Sequence, residues 1–281
     1  MRRALALALA LLASSAAAES RVVVAGGDLT EIAFTLGAGD RIVGVDTTST
    51  YPEAATDLPQ IGYLRSLSAE GVLSLSPDLL LVAADAGPAV ALKQIEAAGV
   101  DIAHAPDTPG APGVPEKIRF MGRALGQSAR AEALAAEVEA KIAAVAAEIA
   151  GLSARPRVLF ILQLQGGAPL VGGAETSADE MIRLAGGRNA AAAFSGYKPM
   201  SREALIAAAP DVVLMMAGRA EASGGLDAVL ARPDLALTPA GRAGRGVEMD
   251  DMLLLGFGPR TPAAIAALAR ALHPGAALGG L

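Results

Sequence analysis

Short apolar runs alternate with segments of helical period along most of the chain. Residues 21–25, Arg-Val-Val-Val-Ala, are a short strand-like run that breaks at Gly26-Gly27, and Asp28 or Thr30 is placed to cap a helix that runs to Leu36 and stops at Gly37. A second apolar run, 41–45, follows at once. Strand, helix and strand at this spacing predict a parallel βαβ unit. Residues 47–59, rich in Thr and Pro, read as a loop. After it, 68–74 reads as a helix capped by Ser68, Pro77-Asp78 leads into a strand over 79–82, 88–98 is a further helix and 100–103 a further strand. The Pro- and Gly-rich stretch 106–115 marks a boundary.

From 115 to 152 the period changes. Ile118, Met121, Leu125, Leu134, Val138, Ile142, Val145 and Ile149 recur every three or four residues, as on one helix face, with a local break at Gly126-Gln127-Ser128. Strand-like spacing restarts at 157–164, and the α/β alternation runs on to the C-terminus. The later half also echoes the earlier one. Gly62-Tyr63, Ser68, Glu70 and Pro77-Asp78 recur in the same order as Gly196-Tyr197, Ser201, Glu203 and Pro210-Asp211. The pattern predicts two similar α/β lobes, 19–114 and 153–281, joined by a connecting helix over 115–152.

Composition narrows the chemistry. Of 281 residues 53% are apolar, too many for a disordered chain; with a formal net charge of −6 and 3% aromatics, the protein does not have the make-up of a nucleic-acid binder. There is no Cys, so no disulfide, thiolate site or Cys nucleophile; with only His104 and His273, a multi-His metal centre or a Ser-His-Asp triad is nearly excluded. Both histidines are expected to be structural or solvent-exposed. The N-terminus has the layout of a cleavable secretory signal over 1–18: Arg2 and Arg3, an apolar run over 4–12 too short to span a membrane, and small residues ending at Ala18. No Cys follows it, so a soluble exported protein without a lipid anchor is expected.

Several motifs resemble the haem-binding periplasmic proteins of bacterial haem ABC importers, within the class III solute-binding family. They include Gly26-Gly27-Asp28, Tyr51-Pro52-Glu53, Gly62-Tyr63-Leu64-Arg65, Arg188-Asn189, Gly196-Tyr197-Lys198-Pro199 and Phe257-Gly258-Pro259-Arg260. The resemblance covers nearly all of the chain after residue 18, and its haem-specific part rests mostly on Gly62-Tyr63-Leu64-Arg65. It implies an α/β fold of two Rossmann-like lobes joined by a long backbone helix, with haem (haem b) as transported ligand, an ABC permease dimer as partner, an outer-membrane haem receptor system upstream, and no enzymatic activity.

The site residues follow from the resemblance together with the chemistry of the groups. A phenolate is a hard oxygen donor suited to ferric haem iron, so Tyr63 is the expected axial ligand. Arg65 is expected to favour that phenolate from the same face of an extended segment. Tyr197 and Lys198, the quasi-equivalent pair, are candidates for stacking on the porphyrin or pairing with a propionate, and Arg260 is a further candidate for a carboxylate. The second lobe offers no His near 171–176, so five-coordinate iron is expected. Glu70 and Glu203, one per lobe, are the expected contacts to the permease; each equally suits an exposed first-turn position beside a helix dipole. Two alternatives stay open: the same fold carrying a ferric siderophore or a corrinoid, and, from another class, an exported hydrolase or metal-dependent enzyme.

Overall fold

A computed structural model describes residues 20–164, 167–276 and 278; the expected signal segment 1–18 lies outside the described residues. Two sheets carry the fold. The first is all parallel, in the order β2-β1-β3-β4, from β1 (Val22–Ala25), β2 (Ile42–Val45), β3 (Leu79–Val82) and β4 (Asp101–His104). The second holds β5 (Arg157–Gln163), β6 (Leu170–Gly172), β7 (Arg188–Asn189), β8 (Tyr197–Pro199), β9 (Val212–Met216) and β10 (Gly246–Met249). Its order is β10-β9-β5-β6-β8, with β7 also on β5. β5, β7, β9 and β10 run parallel, whereas β6 and β8 run antiparallel to their neighbours.

The near-continuous apolar strands mark sheets covered on both faces. Val22 and Val24 of β1 and Val158 and Phe160 of β5 point into one shared cluster, which also takes in Ile118, Met121, Val138, Leu268 and Leu272. Val23 and Ala25 point instead into a cluster confined to the first lobe, and Leu159 and Ile161 into one confined to the second. A strand's period of two thus sends alternate residues either to the joint between the lobes or to a lobe's own outer layer.

The connecting segment is not one helix but two, Gly113–Ala124 and a 23-residue helix Ser128–Ala150. Gly126 turns the chain between them at φ +68°. Where they meet, a Cβ on Gly122 would stand 2.1 Å from that of Ala131, so only Gly allows the close approach. Arg119 spans the pair, bonding Glu132 and Glu139 at 2.9 Å. The long helix Ser128–Ala150 packs against the last helix, Thr261–Leu272. No helix among the described residues is long and apolar enough to cross a membrane.

The internal echo is three-dimensional. Asp78 accepts the Arg21 amide just before β1, and Asp211 accepts the Arg157 amide at the start of β5, both at 2.8 Å. Ser76 and Ala209, each preceding a Pro-Asp, take the same left-handed conformation (φ 46° and 44°), as do Gly62 and Gly196 (φ 91° and 77°) before the two tyrosines. Ser68 caps Ala69–Leu73 and Ser201 caps Arg202–Ala208. The first helix, Gly27–Thr35, departs from expectation: it begins at Gly27, with neither Asp28 nor Thr30 capping it. Its free amides are met from the loop after β2, Gly26 N donating to Asp46 at 3.0 Å and Gly27 N to Thr48 at 2.9 Å.

Candidate functional site

Tyr63 stands on the loop that follows β2, at the strand end where ligand sites of open α/β sheets form. Gly62 turns the chain there, its carbonyl accepting the Thr47 amide at 3.0 Å. Tyr63 itself is extended, and residues Leu64–Ser66 close a 3₁₀ turn. Arg65 therefore meets Tyr63 across that turn and not along an extended segment. Buried Leu64 and Leu67 pin the turn to the first lobe's core, so Tyr63, 41% exposed, is held by its backbone while its ring stays accessible.

The Arg65 guanidinium ties three groups together. Its Nη1 donates to the Tyr63 phenol oxygen, and its Nε (2.8 Å) and Nη2 both donate to Oδ2 of Asp85. Partial burial works against the Arg65 charge, but the hydrogen bonds and charges of Asp85, then of Tyr63, outweigh it and raise the pKa above the ordinary arginine value. Asp85 escaped sequence reasoning. It was signalled only by its place: an acid in a small-residue loop, 83–87, at the end of β3.

The second lobe supplies Tyr197. Its ring meets Phe160 edge-on, centroids 6.5 Å apart, in space that exists because a Cβ on Gly172 would stand 3.1 Å from Phe160 Cδ1 and 3.3 Å from Tyr197 Cε1. Burial pushes the Tyr197 phenol up, partly opposed by a hydrogen bond with Thr176 and by the charge of Arg65 from the other lobe. Tyr63, Arg65 and Asp85 thus form one hydrogen-bonded group on the first lobe, and Tyr197 stands on the second lobe within reach of the Arg65 charge.

Lys198 and Arg260 do not join it. Successive strand residues face opposite ways, and Lys198 turns away from Tyr197 to sit with Nζ 5.5 Å from the Phe194 ring centroid. Arg260 is engaged by the first lobe: Nε and the backbone N–H donate to the buried Glu31 carboxylate at 2.9 and 3.1 Å, and its guanidinium carbon lies 3.6 Å from the Tyr51 ring centroid. The backbone N–H and Nε of Arg260 are thus committed to an inter-lobe contact. Burial raises the Glu31 pKa, and Arg260 pulls it back only in part. An acid inside the apolar stretch Leu29–Phe34 was the available signal for this partner. Lys117, on the connecting helices, bonds Asp28 and strengthens the same joint.

Glu70 and Glu203 lie exposed in the first turns of their helices. His104 is exposed at the end of β4, while His273 is buried and desolvated, which lowers its pKa. Among the described residues no group of three or more His, Asp or Glu is placed to hold a bare metal ion. The first lobe instead offers a phenol with a guanidinium on its oxygen, and the second lobe offers a second phenol.

Two α/β lobes that carry such groups and are joined by packed helices define a two-lobed solute-binding protein, with its ligand taken between the lobes. The chain belongs to the periplasmic binding protein family, whose model matches residues 22–253. It is 47% identical to the periplasmic heme-binding protein RhuT from Roseiflexus sp. RS-1, solved in apo form, with a TM-score of 0.87 over 90% of this chain and 98% of that one. The periplasmic heme-binding protein BhuT, solved in complex with two hemes, is 46% identical, with a TM-score of 0.86 over 90% of this chain and 97% of that one. An uncharacterized ABC transporter substrate-binding lipoprotein of Bacillus subtilis, YvrC, is 27% identical over 87% of this chain and 77% of its own. These similarities place the protein among substrate-binding components of transport systems in the periplasm.

Proposed function

We propose that this protein captures ferric haem, as haem b, between its lobes and delivers it to an ABC permease dimer. The observation that carries the proposal is the hydrogen bond from Arg65 to the Tyr63 phenol oxygen. A cation on that oxygen favours the phenolate, the form that donates to ferric iron. The similarity to RhuT and BhuT, which are heme-binding proteins, supports the same cargo. Tyr63 serves as axial ligand and Arg65 as the group that hydrogen-bonds its oxygen, while Tyr197 offers its ring to the porphyrin face from the second lobe. Lys198 and Arg260 are left out of the site. The division into lobes 19–114 and 153–281 around a connecting segment 115–152, export on a cleavable signal over 1–18 without a lipid anchor, and supply of haem by an outer-membrane receptor complete the proposal.

Titrating the purified protein, without residues 1–18, with haemin tests the cargo. A saturable Soret shift with high-spin ferric–phenolate features is expected, undisturbed by excess cobalamin or a ferric siderophore. Displacement by either competitor, or no shift at all, overturns the haem assignment.

Glu70 and Glu203 are proposed as the permease contacts, one carboxylate for each half of the dimer. Each Glu→Ala change is expected to leave haem affinity unaltered and to slow haem delivery into permease-containing vesicles several-fold, with the double variant slowest. Equal delivery rates at limiting protein would reduce both to solvated helix residues.

A further inference from the structure

We propose that Thr176 is a positioning residue: its buried hydroxyl pins the Tyr197 phenol, so that the second lobe meets its ligand with a ring already in place; the part that concerns porphyrin rests on haem being the cargo. Tyr197 opens β8 and is 39% exposed, with its ring against Phe160. Free to turn, a half-exposed ring samples several orientations, and ordering it on binding costs affinity. Thr176, only 7% exposed, hydrogen-bonds the phenol and removes that freedom in advance.

The hydroxyl is itself held in place. Besides meeting the phenol, Thr176 Oγ1 donates to Gly173 O at 2.9 Å and accepts the Asp179 amide at 3.1 Å, capping the helix Ser177–Leu184. Asn189 braces the same turn, its Nδ2 donating to Gly172 O at 3.0 Å and to Asp179 Oδ1 at 2.9 Å. Gly173 N donates to Gly196 O and Gly196 N to Ala174 O, both at 2.9 Å, which joins this turn to the residue before Tyr197. Gly172 lets the parts close up: a Cβ there would stand 3.3 Å from Thr176 Oγ1 and 3.3 Å from Tyr197 Cε1. Backbone pairing thus brings the hydroxyl and the ring together before any ligand arrives.

A pinned ring and a phenol that acts on the ligand directly predict different patterns. If the phenol itself bonded the haem, at a propionate for instance, replacing Thr176 would free it for that role, and Thr176→Val would hold haem as well as wild type. If Thr176 pins the ring, Thr176→Val and Tyr197→Phe break the same bond from its two ends. Each should then lose haem faster by a similar factor, with the double variant no worse than either. Thr176→Ser keeps the hydroxyl and should restore wild-type retention. Thr176→Val also removes the cap on Ser177–Leu184, whereas Tyr197→Phe leaves it, so agreement between the two separates the ring from the cap.

Two measurements decide. In apoprotein made with ring-labelled tyrosine, NMR reads the three tyrosines alone. The Tyr197 signals, identified by their absence from Tyr197→Phe, should move in Thr176→Val and stay in Thr176→Ser, with those of Tyr51 and Tyr63 unmoved. In haemin-loaded protein, Thr176→Val and Tyr197→Phe should each lose haem to an excess globin scavenger about two- to tenfold faster than wild type, the scale of one side chain ordered on binding. The iron–phenolate band should be unchanged in both. Unmoved Tyr197 signals in Thr176→Val overturn the positioning role, as does wild-type retention by Thr176→Val beside faster loss from Tyr197→Phe. Wild-type retention by Tyr197→Phe overturns it whatever Thr176→Val does, and loss of the iron–phenolate band in Tyr197→Phe overturns it by making Tyr197 an iron ligand. If wild type takes up no haemin, the cargo assignment falls, and the ring spectra still judge Thr176.

Discussion

Tyr63→Phe protein is expected to keep its fold and lose the ferric–phenolate spectrum. The change removes one oxygen from a side chain that is 41% exposed, and the turn beneath it is held by buried Leu64 and Leu67 and by backbone bonds to Gly87. Such a substitution shifts stability by no more than about 0.5 kcal/mol. Binding changes far more. Losing an outer-shell partner of a metal ligand costs roughly 10- to 100-fold in affinity, and loss of the donor atom itself should exceed that. Arg65→Ala, which leaves the donor in place, should fall within the smaller range. Visible spectra and haemin titrations of the two variants check both expectations, and an unchanged Tyr63→Phe spectrum would assign the iron to another residue.

Arg260→Ala should be the most destabilising single change at the joint between the lobes. It strips the cation from Glu31, whose side chain is 5% exposed, and leaves a buried carboxylate without its ion-pair partner. Removing one partner of a buried pair costs about 3–5 kcal/mol, and the partial exposure of Arg260 places this case toward the lower end. The pH dependence has a definite sign. Burial already raises Glu31 above its unfolded value and Arg260 lowers it, so the variant raises the folded value further. Between the unfolded and folded values the native state then binds more protons, and stability falls as pH rises. The penalty is therefore full above the folded value and vanishes below the unfolded one. Thermal melts should show Arg260→Ala far below wild type at pH 7.5 and closer to it in acid, with Glu31→Gln/Arg260→Ala recovering part of the loss at neutral pH. If Arg260 instead held a carboxylate of the ligand, its loss would speed haem release and leave melting unchanged.

Much of the second lobe's architecture was legible because it repeats the first. Pro-Asp before an apolar run is a helix-to-strand turn whose carboxylate accepts an amide at the start of the neighbouring strand, and Asp78 and Asp211 both do this. Gly62 and Gly196, matched by the repeat, both take positive φ just ahead of a tyrosine. The broken connecting helix was only half legible. Gly126 marks the break, but the backward packing depends on Gly122 meeting Ala131, a contact between positions that no helical period relates.

By itself the sequence determined most strands and helices of the first lobe, the repeat that runs through both lobes, and Tyr63 with Arg65 as the chemically distinctive pair. These are properties of local spacing, turn residues and donor type. Tertiary structure decided which charges face one another. Lys198 adjoins Tyr197 in sequence yet points the opposite way, because a strand alternates its faces. Arg260 is matched to Glu31, 229 residues away, because the lobes close on that carboxylate and burial obliges it to find a cation. Asp85 reaches Arg65 because two loops from different strands share backbone hydrogen bonds. An ion pair requires two groups to meet in space, and strand order and loop packing bring these groups together where their spacing along the chain does not.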